Sequence, residues 1–435
     1  MGDGGRHGSR WFGYALLGLA AFGAAFSVLA AFYTRPPALQ FDEYYYYPLA
    51  EKILAGAYPD GYIIRPPLYP LYLAGIFRVF GVGFGPVLLI SALLRGALVA
   101  GVSLLGRRLV SAPAGLVAGL LTAVYPMLIF TYTRFVSEVV YIPLFVLAFW
   151  FLERAVTGER TRDFAAAGAL SGLASLARST SLFFTIAVAV WLVVRKSGAG
   201  RLSRRNFASA AVLVATMLAV ISPWSVRNAV VHEAVILVDN SSAYNLWLIT
   251  SGKQIREATQ EWESWGGQAE RQSEGYRRWL AHLRADPAFH LKRIATTIPK
   301  LFDPGGQPEA YALSMITRGA IQRENMALRA ALKVVAPVIF WLVMAGGIVG
   351  LALLERNAAR RDLLVLTVVY FVLLHAASLA RPRFLLPMNA VLAPYAGGLI
   401  VAALSRSGLT RPGRRRPSLR ADSTRSGKPE PPPSR

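Results

Sequence analysis

Residues 11–32 read WFGYALLGLAAFGAAFSVLAAF, and shortly afterwards residues 41–47 read FDEYYYY. The first stretch carries no charged residue and is long enough, as a helix of about 20 apolar residues, to cross the hydrocarbon core of a bilayer. It is longer than the apolar part of a cleaved signal peptide, and no small-residue cleavage site follows it. The run therefore predicts a membrane helix, and the acidic pair and four tyrosines stand where the chain leaves the membrane.

The composition of the 435 residues extends this prediction to the whole chain. Of these residues 54% are hydrophobic and 16% are charged, whereas about 25% are charged in a soluble protein. The apolar residues predict an all-α polytopic membrane protein with about ten transmembrane helices. The predicted spans lie near residues 11–32, 85–105, 112–131, 134–154, 163–178, 180–195, 206–226, 333–354, 361–379 and 384–404. The apolar segment 67–81 is shorter, which favours an interfacial or re-entrant helix.

Basic residues gather in alternate connections between the predicted spans, and the net charge is +23. Connections rich in lysine and arginine face the cytoplasm, so we expect both termini on the cytoplasmic side of the inner membrane. This pattern accounts for the positive charge, and we expect no nucleic-acid partner. The chain has no cysteine, which excludes disulfides and thiolate metal sites.

Two long connections, residues 33–66 and 227–332, then face the outside. The second has tryptophans and tyrosines at helical spacing, which is typical of amphipathic helices that lie on a membrane or cover a cavity. Residues 1–404 form one predicted transmembrane domain. Residues 405–435 are rich in proline, serine and arginine and predict a disordered basic cytoplasmic tail, which either attracts anionic membrane lipids or is simply solvated.

Polar residues that are costly in a membrane gather on the predicted outer side. Asp42 and Glu43 come first, and because Pro48 suits the first turn of a helix, we expect both acids in extended backbone before it. They could supply a general base, perform this role beside a metal ion, act as helix-entry acids, or form a salt bridge with Arg65. Glu138 could serve the same site or pair with Arg134, four residues earlier on a helix.

Several arginines share this predicted side with two further polar residues. A guanidinium group binds phosphate through its planar fork, so together the arginines suggest a phosphate or pyrophosphate ligand, although each alone could reach the headgroups. The candidates for phosphate or substrate binding are Arg65, Glu138, Arg178, Arg227, Tyr244, Asn245, Arg381 and Arg383. The histidines show no metal-ligand spacing, and no phosphate-loop, dinucleotide, nucleophile-elbow or zinc motif is present.

An ordered set of short motifs resembles a known group of membrane enzymes. The set consists of Asp42-Glu43 with aromatic residues, LAEKILAG at 49–56, RPPLYPLYLA at 65–74, Tyr125-Pro126, Ser137-Glu138, Leu176-Ala177-Arg178, PWSVRN at 223–228, YNLW at 244–247 and RFLLP at 383–387. Over about residues 11–404 this order is similar to the GT-C membrane glycosyltransferases. The similarity is to the branch that includes the protein O-mannosyltransferases and the lipid A aminoarabinose transferase.

The resemblance implies a GT-C-like helical bundle and an inverting transfer of sugar from a polyprenyl-phosphate-linked donor to a hydroxyl acceptor on the outer face. The acceptor would be a cell-envelope glycan, a lipid or a protein. Separately, the high arginine content with abundant alanine and glycine suggests a GC-rich bacterial genome. By the same resemblance Asp42 would be the catalytic base, with arginine holding the lipid phosphate. One departure is Ala243 before Tyr244-Asn245, where the family often has glycine. A divalent cation near Asp42 stays open, without support from ligand spacing.

Two other function classes remain in view. A lipid-linked-sugar flippase or another secondary transporter would have ionisable or helix-breaking residues near the bilayer midplane and paired repeats. Here the polar residues named above lie on the predicted outer side of the membrane and no repeat is visible, which favours the enzyme. A non-catalytic lipid-binding protein would tolerate loss of the Asp42 carboxylate, which the enzyme would not.

Overall fold

The computed structural model describes residues 4–34, 39, 42–56, 58–59, 64–195, 203–303 and 326–407. Beyond residue 407 the predicted tail lies outside these ranges, as do parts of both predicted outer connections. The described chain is α-helical and contains no strand.

The helices of the described ranges differ widely in length, and we number them along the chain. The first nine are α1 (Gly4–Thr34), α2 (Glu43–Leu54), α3 (Leu68–Phe80), α4 (Phe84–Leu109), α5 (Ala112–Val124), α6 (Pro126–Tyr132), α7 (Glu138–Gly158), α8 (Thr161–Ala177) and α9 (Thr180–Val194). The others are α10 (Arg204–His232), α11 (Ser241–Ser251), α12 (Ile255–Ser264), α13 (Gln268–Ala285), α14 (Pro287–Leu301), α15 (Met326–Leu354), α16 (Ala358–Ala377) and α17 (Leu386–Arg406). A 3-10 turn, Pro382–Leu385, leads into α17.

Six helices in the described ranges are long and apolar enough to cross a membrane, namely Arg10–Phe32, Phe84–Leu109, Glu138–Gly158, Arg204–His232, Val334–Leu354 and Pro382–Arg406. The pair α5 and α6, bent by 59°, would make a seventh span. Proline disfavours helical backbone in the residue before it, and Tyr125 before Pro126 is accordingly extended. The polytopic helical fold is confirmed. Each predicted span coincides with helical structure, but α8, α9 and α16 do not meet this length and composition criterion, so the count of ten remains a prediction.

Small residues let these helices pack closely. A Cβ atom built on Gly168 of α8 would lie 2.0 Å from Thr216 Oγ1 and 2.2 Å from the Leu213 carbonyl oxygen, both on α10. Close backbone approach through small residues is how membrane helices gain contact area, because lipid provides no hydrophobic drive between them. The main core lies among α3 to α9 and α15 to α17, and α1 packs against α4 and α5.

Helices α11 to α13 form a separate aromatic cluster, which we call the outer aromatic cluster. Its rings are Tyr244, Trp247, Trp262 and Trp265, and Trp247 and Trp262 are almost fully buried. Ile64 and Leu379 pack against this cluster. Of the amphipathic helices predicted for the second long connection, α11 and α12 therefore bury aromatic rings inside the protein, whereas Tyr276 and Leu280 of α13 are exposed.

A network of buried and half-buried charges, which we call the far-end network, joins the ends of α4, α7 and α16. Glu153 of α7 is fully buried and pairs with Arg108 of α4 and with Arg360 of α16 at 2.7 Å. Arg360 also reaches Glu355 at 3.3 Å. Glu153 lies fifteen residues after Glu138 on one helix, a distance of about 22 Å. The basic residues predicted to face the cytoplasm thus include two that tie helix ends together.

One buried charge corrects the expectation that polar residues gather on the outer side alone. Arg95 lies in the middle of α4 and is fully buried. Its guanidinium group donates to the Gly23 carbonyl and the Ser27 hydroxyl at 2.8 Å, and also to the Ala123 carbonyl. Ala123 precedes the break between α5 and α6, where a helix leaves backbone groups unsatisfied. Arg95 therefore satisfies the Ala123 carbonyl at this helix break and joins it to the interior of α1.

Candidate functional site

The first site element is the start of α2. The helix begins at Glu43 and contains Pro48, and Asp42 is its N-cap residue with helical backbone angles. The expectation of extended backbone at the acidic pair was therefore wrong. The carbonyl oxygen of Asp42 already accepts hydrogen bonds from the amides of Tyr45 and Tyr46 at 3.1 and 3.0 Å, so the helix forms one turn before the proline and tolerates it inside.

Two arginines from distant parts of the chain hold the Asp42 carboxylate. Arg65, in the turn before α3, donates to Asp42 Oδ1 at 2.8 Å. Arg383, in the turn before α17, donates to Asp42 Oδ2 at 2.9 Å. The Arg65 guanidinium also lies over the rings of Tyr45 and Tyr46, at 5.5 and 5.7 Å. One carboxylate thus ties the first predicted outer connection to the turn before the last described helix.

A second carboxylate extends this arrangement. Glu138, the first residue of α7, is almost fully buried, and its Oε1 lies 2.9 Å from Arg178 Nη1 and 3.5 Å from Arg383 Nε. Arg383 therefore stands between the two acids. The predicted alternative, pairing with Arg134 along a helix, is wrong because α7 begins only at Glu138.

Arg65, Asp42, Arg383, Glu138 and Arg178 form a chain of alternating charges, which we call the site network. Burial by itself would raise the pKa of Asp42, but Arg65 and Arg383 outweigh this effect and hold that pKa well below 3.8. Three guanidinium groups face two carboxylates, so one positive charge is left over in surroundings that screen charge poorly. Such a site favours an anionic ligand.

Arg381 adds a further positive charge beside this network. Its side chain is half-buried and makes no ion pair or hydrogen bond with any residue in the described ranges. Burial lowers its pKa, and the positive charge of Arg383 lowers it further. Of the predicted arginines, Arg381 is the one that reaches the site without an anionic partner in this part of the chain.

The structure separates Glu43 from its neighbour Asp42. Glu43 is almost fully buried, and its Oε1 accepts a hydrogen bond from the backbone amide of Phe135 at 3.0 Å. Phe135 lies in the short turn between α6 and α7. The carboxylate therefore holds the backbone that leads to Glu138, and the catalytic role predicted for Glu43 stays a prediction.

Three other predicted site residues, Arg227, Tyr244 and Asn245, form no ion pair with the site network in the described part of the chain. Arg227 of α10 stacks on the rings of Tyr58 and Trp224, at 5.4 and 5.0 Å, and donates to the Tyr58 carbonyl. Tyr244 belongs to the outer aromatic cluster, and its hydroxyl lies 2.9 Å from the Thr259 hydroxyl. Asn245 is half-buried on the same helix.

Sequence reasoning missed Asp239. Its carboxylate accepts hydrogen bonds from the Ser241 amide and hydroxyl at 3.1 and 2.8 Å, and from the Ser179 hydroxyl at 3.2 Å. Burial raises its pKa to about 6, against the opposing effects of Ser241, Ser179 and Arg65. An aspartate before serines in a loop is ordinary turn chemistry, so the sequence alone gave no signal.

These contacts do not provide a set of ligands for the divalent cation that the sequence analysis left open. Within residues 4–407, leaving out the undescribed segments, no three histidine, aspartate or glutamate side chains converge as metal ligands. The oxygens of Asp42 and Glu138 face guanidinium groups instead.

Residues 64–226 match the sequence model of the dolichyl-phosphate-mannose-protein mannosyltransferase family. This match covers less than half of the chain. It includes Arg65, Glu138 and Arg178 but neither Asp42 nor Arg383. No curated protein sequence matches the chain.

Solved structures share the fold over most of the chain. An Archaeoglobus fulgidus oligosaccharyltransferase tethered to an acceptor peptide matches with TM-score 0.56 and 14% identity, over 92% of this chain and 50% of that one. The same archaeal enzyme, AglB, with an inhibitory peptide and a dolichol-phosphate matches with TM-score 0.53 and 16% identity, over 92% and 51%. The chain thus spans about half the length of these proteins.

A weaker similarity is to ArnT from Cupriavidus metallidurans bound to undecaprenyl phosphate, with TM-score 0.43 and 16% identity, over 91% of this chain and 80% of that one. A score this low does not establish a common fold and adds no support. Residues 64–226 are thus similar in sequence to the dolichyl-phosphate-mannose-protein mannosyltransferase family, and the chain shares the fold of an archaeal oligosaccharyltransferase.

Proposed function

We propose that the protein transfers a sugar from a polyprenyl-phosphate-linked donor to a hydroxyl acceptor on the outer face of the cytoplasmic membrane. The observation that carries this proposal is that Arg65 and Arg383 both form ion pairs with Asp42. Glu138 and Arg178 complete the site network. It joins a carboxylate that can take a proton to guanidinium groups that can hold a phosphate. The membrane helices keep this site beside the lipid chains of such a donor.

The chemistry of the transfer follows from these groups. The acceptor hydroxyl oxygen attacks the anomeric carbon of the sugar, and its proton passes to Asp42. The bond between that carbon and the phosphate oxygen breaks, and the electron pair leaves with the polyprenyl phosphate. The configuration at the anomeric carbon inverts because attack and departure lie on opposite sides. Arginine stabilises the charge on the leaving phosphate, which is the type of interaction that contributes most to many enzymes.

Asp42 as seen here is a weak base, because two arginines hold its pKa well below 3.8. An efficient general base has a pKa nearer to the working pH. A donor phosphate would compete for the same guanidinium groups. When Arg383 or Arg65 turns to the phosphate, Asp42 loses a positive neighbour and its pKa rises. Donor binding would thereby prepare the base.

Arg381 supplies the first contact for the phosphate in this scheme. It has no anionic partner among the described residues, so it can bind a phosphate without breaking an existing ion pair. Arg383 would then bind the phosphate as well, and its ion pairs with Asp42 and Glu138 would break. Glu138 keeps Arg178 in place at 2.9 Å during this exchange.

The experiment is sugar transfer in liposomes with a panel of polyprenyl-phosphate sugars, comparing wild type with Asp42→Asn. Glu51→Gln is the matched control, because Glu51 is an exposed carboxylate on the same helix α2. We expect transfer by wild type and Glu51→Gln and a loss of about 10²–10⁴-fold in Asp42→Asn. Equal transfer by all three proteins would remove Asp42 from the mechanism, and the absence of transfer from every donor would contradict the proposed function.

A further inference from the structure

A trio of polar residues near the site network has no part in the proposed function so far. It consists of Ser179, Asp239 and Ser241, and we call it the serine–aspartate cluster. Ser179 follows Arg178 directly and is the N-cap residue of α9. Its hydroxyl lies 3.2 Å from that of Ser241 at the start of α11. The cluster therefore links an arginine of the site network to the helix that carries Tyr244.

The surroundings of Asp239 place it at the same site. Its charge acts on Tyr45, Tyr58 and Tyr276, and Arg65 acts on it in turn. Arg65 also holds Asp42 at 2.8 Å. Arg65 therefore pairs directly with Asp42 and is near enough to act electrostatically on Asp239.

Part of the hydrogen-bonding capacity here is unused. An ionised carboxylate offers about four acceptor positions, and three donors occupy Asp239. The Tyr58 hydroxyl is buried and has no hydrogen-bond partner in the described part of the chain. Buried polar groups are almost always paired, so the unpartnered Tyr58 hydroxyl and the remaining acceptor position of Asp239 point to a ligand with hydroxyl groups.

A turn alone explains only half of the geometry. The two bonds from Ser241 to Asp239 Oδ1 form the usual side-chain turn at a helix start. Asp239 Oδ2, however, binds Ser179 on another helix, and the nearby rings of Tyr58 and Trp224 pack edge to face at 4.8 Å. A few fixed polar groups beside aromatic rings are typical of small-molecule sites.

We propose that Asp239, held by Ser179 and Ser241 and assisted by Tyr58, binds hydroxyl groups of a sugar ring and so determines substrate specificity. This inference rests on the proposed function. The sugar belongs either to the lipid-linked donor or to a glycan acceptor, and the shared chemistry is a pair of hydroxyl groups that donate to the carboxylate and accept from tyrosine.

The test compares wild type, Asp239→Asn and Ser179→Ala in the liposome assay, with Asp286→Asn as the matched control. Asp286 caps α14 by accepting from the Phe289 amide at 2.9 Å and is exposed, so it reproduces the capping role alone. Four quantities are measured: KM and kcat for the donor, KM for the acceptor, binding of polyprenyl phosphate without sugar, and thermal unfolding.

We expect Asp239→Asn to raise one KM about tenfold or more, the loss typical of a hydrogen bond to a charged group. Binding of the sugar-free lipid should stay as in wild type, and Ser179→Ala should shift the same KM by a smaller factor. A raised donor KM assigns the cluster to the donor sugar, and a raised acceptor KM assigns it to the acceptor.

Unchanged KM values in both variants, with wild-type transfer intact, would overturn the subsite and leave a capping role only. Loss of thermal stability in Asp239→Asn with no KM change in the folded Ser179→Ala variant would do the same. No transfer by wild type would instead overturn the proposed function and the subsite with it.

Discussion

Arg383 binds Asp42 at 2.9 Å across 341 residues of sequence, and the same guanidinium group lies 3.5 Å from Glu138. It is the one residue of the site network that touches both acids. We therefore expect Arg383→Gln to lower transfer more than about 10²-fold and to lower the free energy of unfolding by about 3 kcal/mol, because breaking a buried ion pair leaves charge uncompensated. Transfer assays and thermal unfolding in detergent measure the two effects.

A double-mutant cycle provides the control for this prediction. In the Asp42→Asn background the same substitution should cost less stability, since one of the two acids is already neutral. Additive losses in the double variant would show that Arg383 and Asp42 do not interact in the folded protein.

Arg381→Gln should weaken binding of the donor about tenfold and leave the unfolding temperature near that of wild type. The reason is that Arg381 has no ion pair to lose in the described part of the chain. Arg361→Gln is the matched control, because it is an exposed arginine at the far end of the molecule that pairs weakly with Asp362 at 3.8 Å. Unchanged donor affinity in Arg381→Gln would move the phosphate site away from this residue.

Glu43 and Asp42 are neighbours with different expected roles. Glu43→Gln keeps an oxygen that can accept from the Phe135 amide, so we expect it to retain most of the transfer that Asp42→Asn loses. Both variants are assayed side by side with the same donor. If Glu43→Gln were as inactive as Asp42→Asn, the catalytic role predicted from the sequence for both acids would stand.

The raised pKa of Asp239 predicts how stability depends on pH. Because this pKa is 3.8 ordinarily and about 6 in the folded protein, the folded state binds the proton more tightly, and its contribution is present below pH 4 and lost as the pH rises to about 6. Asp239→Asn stays neutral throughout. Its unfolding temperature relative to wild type should therefore be higher at pH 7.5 than at pH 4.5. A difference that does not change with pH would contradict the raised pKa.

Arg95→Met should destabilise the protein without changing donor affinity. Methionine fills much of the same volume but leaves the Ala123 carbonyl, beside the helix break, without its donor, and an unsatisfied buried group costs about 1–3 kcal/mol. Thermal unfolding and donor binding at a permissive temperature separate the two effects. A large loss of donor affinity in folded Arg95→Met would indicate that this buried charge serves the ligand.

Local pattern was enough for the helices and for most of the site. The run at 11–32, the short helix at 67–81 and the gathering of Asp42, Arg65, Glu138, Arg178 and Arg383 followed from apolar length and from the cost of charge in a membrane. The pairing of Asp42 with Arg65 was among the predicted alternatives, but the partners of the other charges did not follow, because pairing depends on how helices pack. Glu138 is an example, since its partner lies 40 residues away in sequence and not four.

Two residues show different limits of the sequence. Arg95 did carry a signal, a charge in the centre of an apolar run, and intramembrane charge is rare enough to be informative. Asp239 carried none, because only the approach of Ser179 from another helix distinguishes it from any aspartate at a helix start.

The position of Arg383 also has a consequence during synthesis. Asp42 emerges from the ribosome early, together with Arg65, whereas its second partner emerges only when most of the chain has been made. The proposed catalytic pair therefore cannot form until the chain has been made as far as the turn before the last described helix. Nascent or truncated chains that end before Arg383 would carry the acid without its second restraint, so we expect such chains to be inactive.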